Sequence, residues 1–271
     1  MARILVTGGT GVLGRGVVRR LAGRADVRVL SRRAARLPDA EVVRGDLNTG
    51  DGLGPALRDV EVVVHCAGYS RDPLRPGRDT EQTRRLIESA RAAGGTPHLV
   101  YISIVGADRI PLGYYRAKLA GERLVAASGL PWTLLRATQF HELVLTLLML
   151  GARGPVAIVP RGFRFQPVEA QEVADRMAEL ALRPSAGRVP DLGGPRVERV
   201  EDLMRAYLSA AGRRRRILAL PLPGGIARGY RDGGNLLTDG VTGSRTFAEF
   251  LRASVRPDGP VAAPYGRKTR R

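Results

Sequence analysis

Four glycines within seven residues, Gly8, Gly9, Gly11 and Gly14, decide what this chain can fold into. Arg3-Ile4-Leu5-Val6-Thr7 leads into them, and Val17, Val18, Leu21 and Ala22 follow at helical spacing. The apolar run predicts a buried parallel strand and the later spacing a helix. Between strand and helix, glycine lets the backbone turn sharply and approach a ligand closely. The unpaired N–H groups at the helix start, with the helix dipole, suit a pyrophosphate. Gly8, Thr10, Gly11, Val12, Leu13 and Gly14 are therefore candidate contacts to a phosphorylated cofactor. A glycine run alone is weak support, because 34 of the 271 residues are glycine; the strand before it and the helix after it give it meaning.

The first half continues in the same alternation. Strands are expected at 27–30, 41–44, 61–66, 98–103 and 132–136, and helices at 54–59, 80–93 and 114–128. Such alternation predicts an α/β fold, a doubly wound parallel sheet of the Rossmann type with ligands outside the carboxyl ends of its strands. Beyond it, helices are expected at 142–149, 171–182 and 200–211, strands at 156–159 and 187–192, a short alternating segment at 163–166 and a packed turn at 247–251. The expected organisation is a dinucleotide-binding core over 1–150, a small C-terminal substrate-binding part over 151–252 completing the same domain, and a disordered tail over 253–271.

The formal net charge is +18, almost entirely from arginine, since only Lys118 and Lys268 are lysine. The arginines are spread along the chain and aromatics are 5%, too few for a base-stacking platform, so nucleic acid is not the expected partner. The charge can steer anionic ligands. The run Arg213 to Arg216 reads as a solvated surface. The lone cysteine, Cys66, excludes an internal disulfide framework and suits a reducing cytoplasm, the expected location. The N-terminal apolar run is too short for a signal peptide, and no run approaches the length of a membrane helix. His65, His98, His141 and Cys66 show no metal-ligand spacing, and there is no G-x-S-x-G nucleophile elbow.

At the end of the second strand a carboxylate would bond the ribose 2′-hydroxyl of NAD. Here the residues are Ser31-Arg32-Arg33. Two guanidiniums suit a 2′-phosphate, so the expected cofactor is NADP, with Ser31 adding a hydroxyl. Asp46, followed by Leu47, closes the third strand, where its carboxylate can accept from an adenine amino group. Ala67 and Gly68 close the fourth, where small residues admit the cofactor's ribose.

Ser103 ends the fifth strand, and eleven residues later Tyr114 and Lys118 stand at i and i+4 on one helix face. A phenol with pKa near 10 exchanges protons poorly at neutral pH, and a nearby ammonium favours its phenolate. Lys118 can also bond the nicotinamide ribose, while Ser103 can orient a substrate carbonyl. Tyr115 and His141 are the alternative residues facing the site. His65 and Cys66 read as packing residues.

The glycine pattern T-G-G-T-G-x-x-G with Ser103 and Tyr114-x-x-x-Lys118 resembles the short-chain dehydrogenase/reductase superfamily. The segments Ser103 to Asp108, Lys118 to Glu122, Ser128 to Thr133, Leu135-Arg136 and Gln139-Phe140 resemble its atypical, NmrA-like branch, and the resemblance covers roughly residues 3 to 252. It implies that Ala137, Thr138, Gln139 and Phe140 lie along the nicotinamide. The expected function is an NADPH-dependent oxidoreductase that passes hydride to a carbonyl or quinone-like molecule. The substrate is expected to be small and largely apolar, flanked by Phe140, Leu143, Val144 and Leu147; no membrane partner is expected and the oligomeric state stays open. Two alternatives remain: a non-catalytic dinucleotide sensor, and an epimerase or dehydratase on the same scaffold.

Overall fold

The computed structural model describes residues 1–33, 36–68 and 77–255. In chain order its elements begin with β1 (Arg3–Thr7), α1 (Val12–Leu21), β2 (Asp26–Ser31), β3 (Glu41–Arg44), α2 (Leu53–Leu57), β4 (Val62–His65), α3 (Gly77–Ala92), β5 (His98–Ile104), α4 (Gly113–Ala126) and β6 (Trp132–Ala137). There follow α5 (His141–Gly151), β7 (Ala157–Pro160), β8 (Arg164–Phe165), α6 (Ala170–Ala181), β9 (Gly187–Arg188), β10 (Leu192–Gly193) and β11 (Glu198–Arg199). The last elements are α7 (Val200–Ala210), β12 (Ile217–Leu220), α8 (Gly224–Arg231), β13 (Val241–Thr242) and α9 (Phe247–Ser254). The chain divides into two compact units. The first comprises Met1–Asp108, Leu112–Arg136 and Gln171–Pro190; the second comprises Arg109–Pro111, Ala137–Ala170 and the chain from Asp191 onward.

The first unit is a parallel sheet in the order β3-β2-β1-β4-β5-β6, the Rossmann arrangement, with β9 added beside β6. Parallel strands covered on both faces read as continuous apolar runs, and Ile4, Leu5 and Val6 of β1 are all fully buried. Leu5 sits in register with Arg28 of β2 on one side and Val63 of β4 on the other. One face packs Leu5, Val63, Leu99 and Leu134 with Leu57, Leu86, Ile87 and Val125 of the helices. Burying each such side chain contributes about 1.5–3 kcal/mol. Helix α1 buries Leu13, Val17, Val18 and Leu21 and exposes Arg15, Arg19 and Arg20. Two of those arginines tie it to α6: Arg20 pairs with Asp175, and Arg19 donates to Gln171 at 2.9 Å.

The second unit has its own core, in which Phe163, Phe165, Met204, Tyr207, Phe247 and Phe250 are buried together. Strands β7 and β12 pair in parallel, and β8 pairs antiparallel with β11. The segment expected as a turn at 247–251 is the helix α9, started by a capping box between Thr246 and Glu249.

Other boundaries also differ from expectation. Residues 187–192 form two strands: β9 beside Thr133 and Leu134 of β6, and β10 beside Ala137 of β6 on one side and β13 on the other, with Val189, Pro190 and Asp191 between them. Helix α5, expected in the core, belongs to the second unit, while nearly all of α6 belongs to the first. Residues 253–254 continue α9 and Val255 is buried, so the expected tail loses its first three residues to packed structure; residues 256–271 lie outside the described residues. Among the described residues, no helix is long and apolar enough to cross a membrane.

Candidate functional site

The glycine loop lies between β1 and α1, at the carboxyl end of β1 and beside the carboxyl end of β4. Gly8 has φ +69, and a Cβ there would stand 2.7 Å from the Ala67 nitrogen. A Cβ on Gly14 would fall 2.2 Å from the Gly8 carbonyl oxygen. Only glycine allows the loop to fold back on itself while touching the end of β4. The loop is closed by a hydrogen bond from Gly11 N–H to the Gly8 oxygen at 2.8 Å. Helix α1 has no side-chain cap on its first N–H groups and no acidic residue in its first turn. Its start therefore presents donors and partial positive charge that no side chain among the described residues caps, which fits a pyrophosphate. Thr10 and Gly11 are exposed and Val12 is half-buried, whereas Leu13 packs inward. Arg15 is exposed in the first turn and donates to the Gly11 oxygen at 3.4 Å; the sequence reading passed over this cation.

The loop after β2 carries Arg32 and Arg33, both exposed. Among the described residues neither has an ion-pair partner, so both guanidiniums are available to a phosphate. Ser31 is placed differently from expectation. Its hydroxyl donates to the Arg33 carbonyl at 2.8 Å and accepts from Arg33 N–H at 3.4 Å, so it shapes the loop. Asp46 is half-buried, and its Oδ1 accepts from the backbone N–H of Asn48 at 2.9 Å and from that residue's side-chain amide at 2.6 Å. Leu47 is buried and contributes packing.

Beyond Ala67 the chain reaches Gly68, whose Cβ position would be 3.4 Å from Lys118 Nζ and 3.6 Å from Asp79 Oδ2. Lys118 is 3% exposed. Its Nζ donates to the Ile102 carbonyl at 3.3 Å, stands 5.1 Å from the Tyr101 ring centre and 6.0 Å from that of Tyr114. Tyr114 is partly exposed at the start of α4, and Tyr115 is buried behind it with ring centres 6.4 Å apart, edge to face. The structure thus brings together the glycine loop, Ala67, Gly68, Lys118 and Tyr114 within the first unit.

His65, one residue before Cys66, bonds Thr7 Oγ1 through Nδ1 at 2.6 Å and Thr83 Oγ1 through Nε2 at 3.1 Å. Thr83 donates onward to the Asp79 carbonyl at 2.9 Å, which makes Nε2 the protonated nitrogen and leaves Nδ1 to accept from Thr7. Burial, and then the nearby Lys118, lower the His65 pKa to about 3, so the ring is neutral. Burial pushes the Cys66 thiol up to about 12, against the opposing pull of the nearby Lys118.

Ser103 departs most from expectation. It is 1% exposed, and its hydroxyl donates to Glu122 at 2.5 Å. Glu122 in turn takes a two-pronged contact from Arg136, at 2.8 and 2.7 Å, and Arg136 reaches Asp108 at 2.8 Å. Ser103, Glu122 and Arg136 form a buried structural network that Asp108 closes from the surface, and Ser103 belongs to it. Glu122 stands at i+4 from Lys118, and an arginine at the end of a core strand demands a carboxylate. Those two signals were present in the sequence.

Residues 137–140 belong to the second unit except for their chain connection. Thr138 donates to the Gln166 carbonyl at 2.6 Å, and Gln139 donates to the Asn235 carbonyl at 3.0 Å. Phe140 bridges Val168. These side chains hold the second unit's own loops in place, and Ala137 is buried. His141 is fully buried, bonded through Nε2 to the Arg245 carbonyl at 3.1 Å and stacked on Phe250 at 5.1 Å. It is a packing histidine. Among the described residues, no group of three or more His, Cys, Asp or Glu side chains could hold a metal ion.

Comparison with known proteins gives concordant findings. A family described as NAD(P)H-binding matches residues 8–184. The chain is 37% identical over 143 residues to (4-alkanoyl-5-oxo-2,5-dihydrofuran-3-yl)methyl phosphate reductase of Streptomyces griseus, covering 51% of this chain and 48% of that enzyme. It therefore spans about half the length of that relative. It is 30% identical over 243 residues to ceramide reductase of Caulobacter vibrioides, covering 83% of this chain and 76% of the relative. Among solved structures it is similar in fold to an NADPH-dependent quinone oxidoreductase of Escherichia coli complexed with NADPH. The TM-score is 0.74 and the identity 22%, over 92% of this chain and 99% of that one.

Proposed function

Because the chain belongs to the NAD(P)H-binding family, in its atypical short-chain dehydrogenase/reductase, NmrA-like branch, we propose that it is an NAD(P)H-dependent oxidoreductase that uses NADPH to reduce a carbonyl or quinone-like small molecule. The observation that carries the reading is Lys118 Nζ, 3.4 Å from the Cβ position of Gly68 and 6.0 Å from the Tyr114 ring centre. It links the backbone that would hold the dinucleotide to the partly exposed phenol of Tyr114.

When bound, the reduced nicotinamide supplies a hydride. The chain's own residues do the rest. The loop from Gly8 to Gly14 and the bare start of α1 hold the pyrophosphate, and Arg32 and Arg33 hold a 2′-phosphate. Lys118 holds the ribose and stands over the ring of Tyr114, whose hydroxyl gives a proton to the substrate oxygen and recovers it from water. Ser103 acts through Glu122, keeping β5, α4 and Arg136 in place. Both relatives are named reductases, which supports reduction as the reaction.

The engagement of Ser103 with Glu122 favours a second reading, in which the dinucleotide is bound without turnover. Mixing the purified protein with NADPH and a panel of apolar ketones, aldehydes and quinones separates the two. Acceptor-dependent loss of NADPH absorbance supports the reductase. Tight NADPH binding with no consumption across the panel would leave the sensor as the better reading.

A further inference from the structure

We propose that the outer face of the β7–β12 pair is a docking surface for an anionic lipid membrane. Among the described residues, every exposed large apolar side chain except Met1 belongs to the second unit. Their arrangement on β7 and β12 is regular. Ala157 and Val159 of β7 are buried while Ile158 between them is 48% exposed. Leu218 of β12 stands in register with Ile158, and Leu220, two residues on, points to the same side; they are 43% and 37% exposed. The chain then runs through Pro221 to Leu222, 44% exposed. An outward strand face of this composition is a poor match to water.

Charge selects the occupant. Arg213, Arg214 and Arg216 lead directly into β12 and are exposed, and among the described residues they have no ion-pair partner. Arg215 does the anchoring: its Nη1 donates to the Ala152 and Gly154 carbonyls, which fixes the run beside the start of β7. Exposed apolar side chains that follow directly on a run of guanidiniums in the chain match a bilayer interface, where acyl chains take the leucines and anionic headgroups take the arginines. A second copy of this chain meeting the same face would set one arginine run against another, in a molecule of net charge +18. Nucleic acid would satisfy the arginines and leave Ile158, Leu218 and Leu220 in water.

The test is co-sedimentation of the full chain with vesicles of equal parts phosphatidylcholine and phosphatidylglycerol, against vesicles of phosphatidylcholine alone. The expected result is partition onto the anionic vesicles that weakens as salt shortens the Debye length. Each of Arg213→Ala, Arg214→Ala and Arg216→Ala should lower the partition about fivefold. Leu218→Ser with Leu220→Ser should lower it at least tenfold, about 1.4 kcal/mol, with the thermal midpoint unchanged. The proposal is overturned by equal partition onto both vesicle types, or by none. It is also overturned if the leucine variant binds vesicles as wild type does while a DNA duplex competes, which would assign the arginines to nucleic acid. A concentration-dependent dimer lost in the leucine variant, without vesicle binding, would assign the face to a second copy.

Discussion

Lys118 Nζ stands 6.0 Å from the ring centre of Tyr114, one helical turn away on α4. The ammonium lies over the ring, and the partly exposed phenol can meet a substrate. General acid catalysis typically contributes 10²–10⁴-fold, so Tyr114→Phe should lower kcat by at least about 100-fold. The dissociation constant for NADPH should stay within about threefold, because the phosphate cradle is untouched. Steady-state kinetics and fluorescence titration on one preparation check both. A variant that turns over like wild type would remove Tyr114 from the reaction.

Arg32 and Arg33 give the cofactor prediction. A charged hydrogen bond to phosphate contributes about 1.5–3 kcal/mol. Replacing both arginines by alanine should therefore weaken NADPH by about 100-fold or more while NADH changes little. Parallel titrations with the two nucleotides decide it; equal losses would mean the arginines do not meet a 2′-phosphate.

The buried network makes a contrasting pair of predictions. Glu122→Ala leaves the Arg136 guanidinium, 7% exposed, without its main partner and should destabilise the protein by about 3–5 kcal/mol. Ser103→Ala removes one hydrogen bond and should cost about 1 kcal/mol. Turnover of Ser103→Ala should stay within about threefold of wild type, in contrast to Tyr114→Phe. Urea unfolding and activity assays together read this out. A loss of activity in Ser103→Ala as large as that in Tyr114→Phe, at wild-type stability, would return Ser103 to the substrate.

The contrast between Tyr114 and Ser103 also marks what the sequence could disclose. The strands and helices of the first half were legible because a parallel sheet writes itself in local apolar runs, as Ile4-Leu5-Val6 and Val62-Val63-Val64 do. The Tyr114–Lys118 pair was legible because helical spacing fixes it. The Ser103–Glu122 hydrogen bond was not legible because it depends on where α4 and β6 meet β5, which chain order does not contain. Helix α8 escaped notice because Pro223-Gly224-Gly225 reads as a turn, yet Ala227 within it is buried in the second unit's core. The strand expected at 187–192 is likewise divided: β9 and β10 both run beside β6, with Val189, Pro190 and Asp191 between them, and β10 takes β13, about fifty residues on, as its other neighbour.

A pH prediction comes from Glu142, in the first turn of α5. Negative charge is ordinarily favoured there. Yet burial, reinforced by Glu169, raises this carboxyl to about 7, and among the described residues its Oε2 is buried without a hydrogen-bond partner. With a folded pKa above the unfolded value of 4.5, the native state keeps a proton that the unfolded chain has released. The stabilisation from this group is full below the unfolded pKa and is lost as pH rises through about 7. Glu142→Gln is neutral at every pH and keeps the side chain's shape. It should be more stable than wild type at pH near 8, with little difference near pH 4, by urea unfolding at the two pH values. If the variant's stability ran parallel to wild type across that range, the Glu142 carboxyl would not be the group that holds the proton.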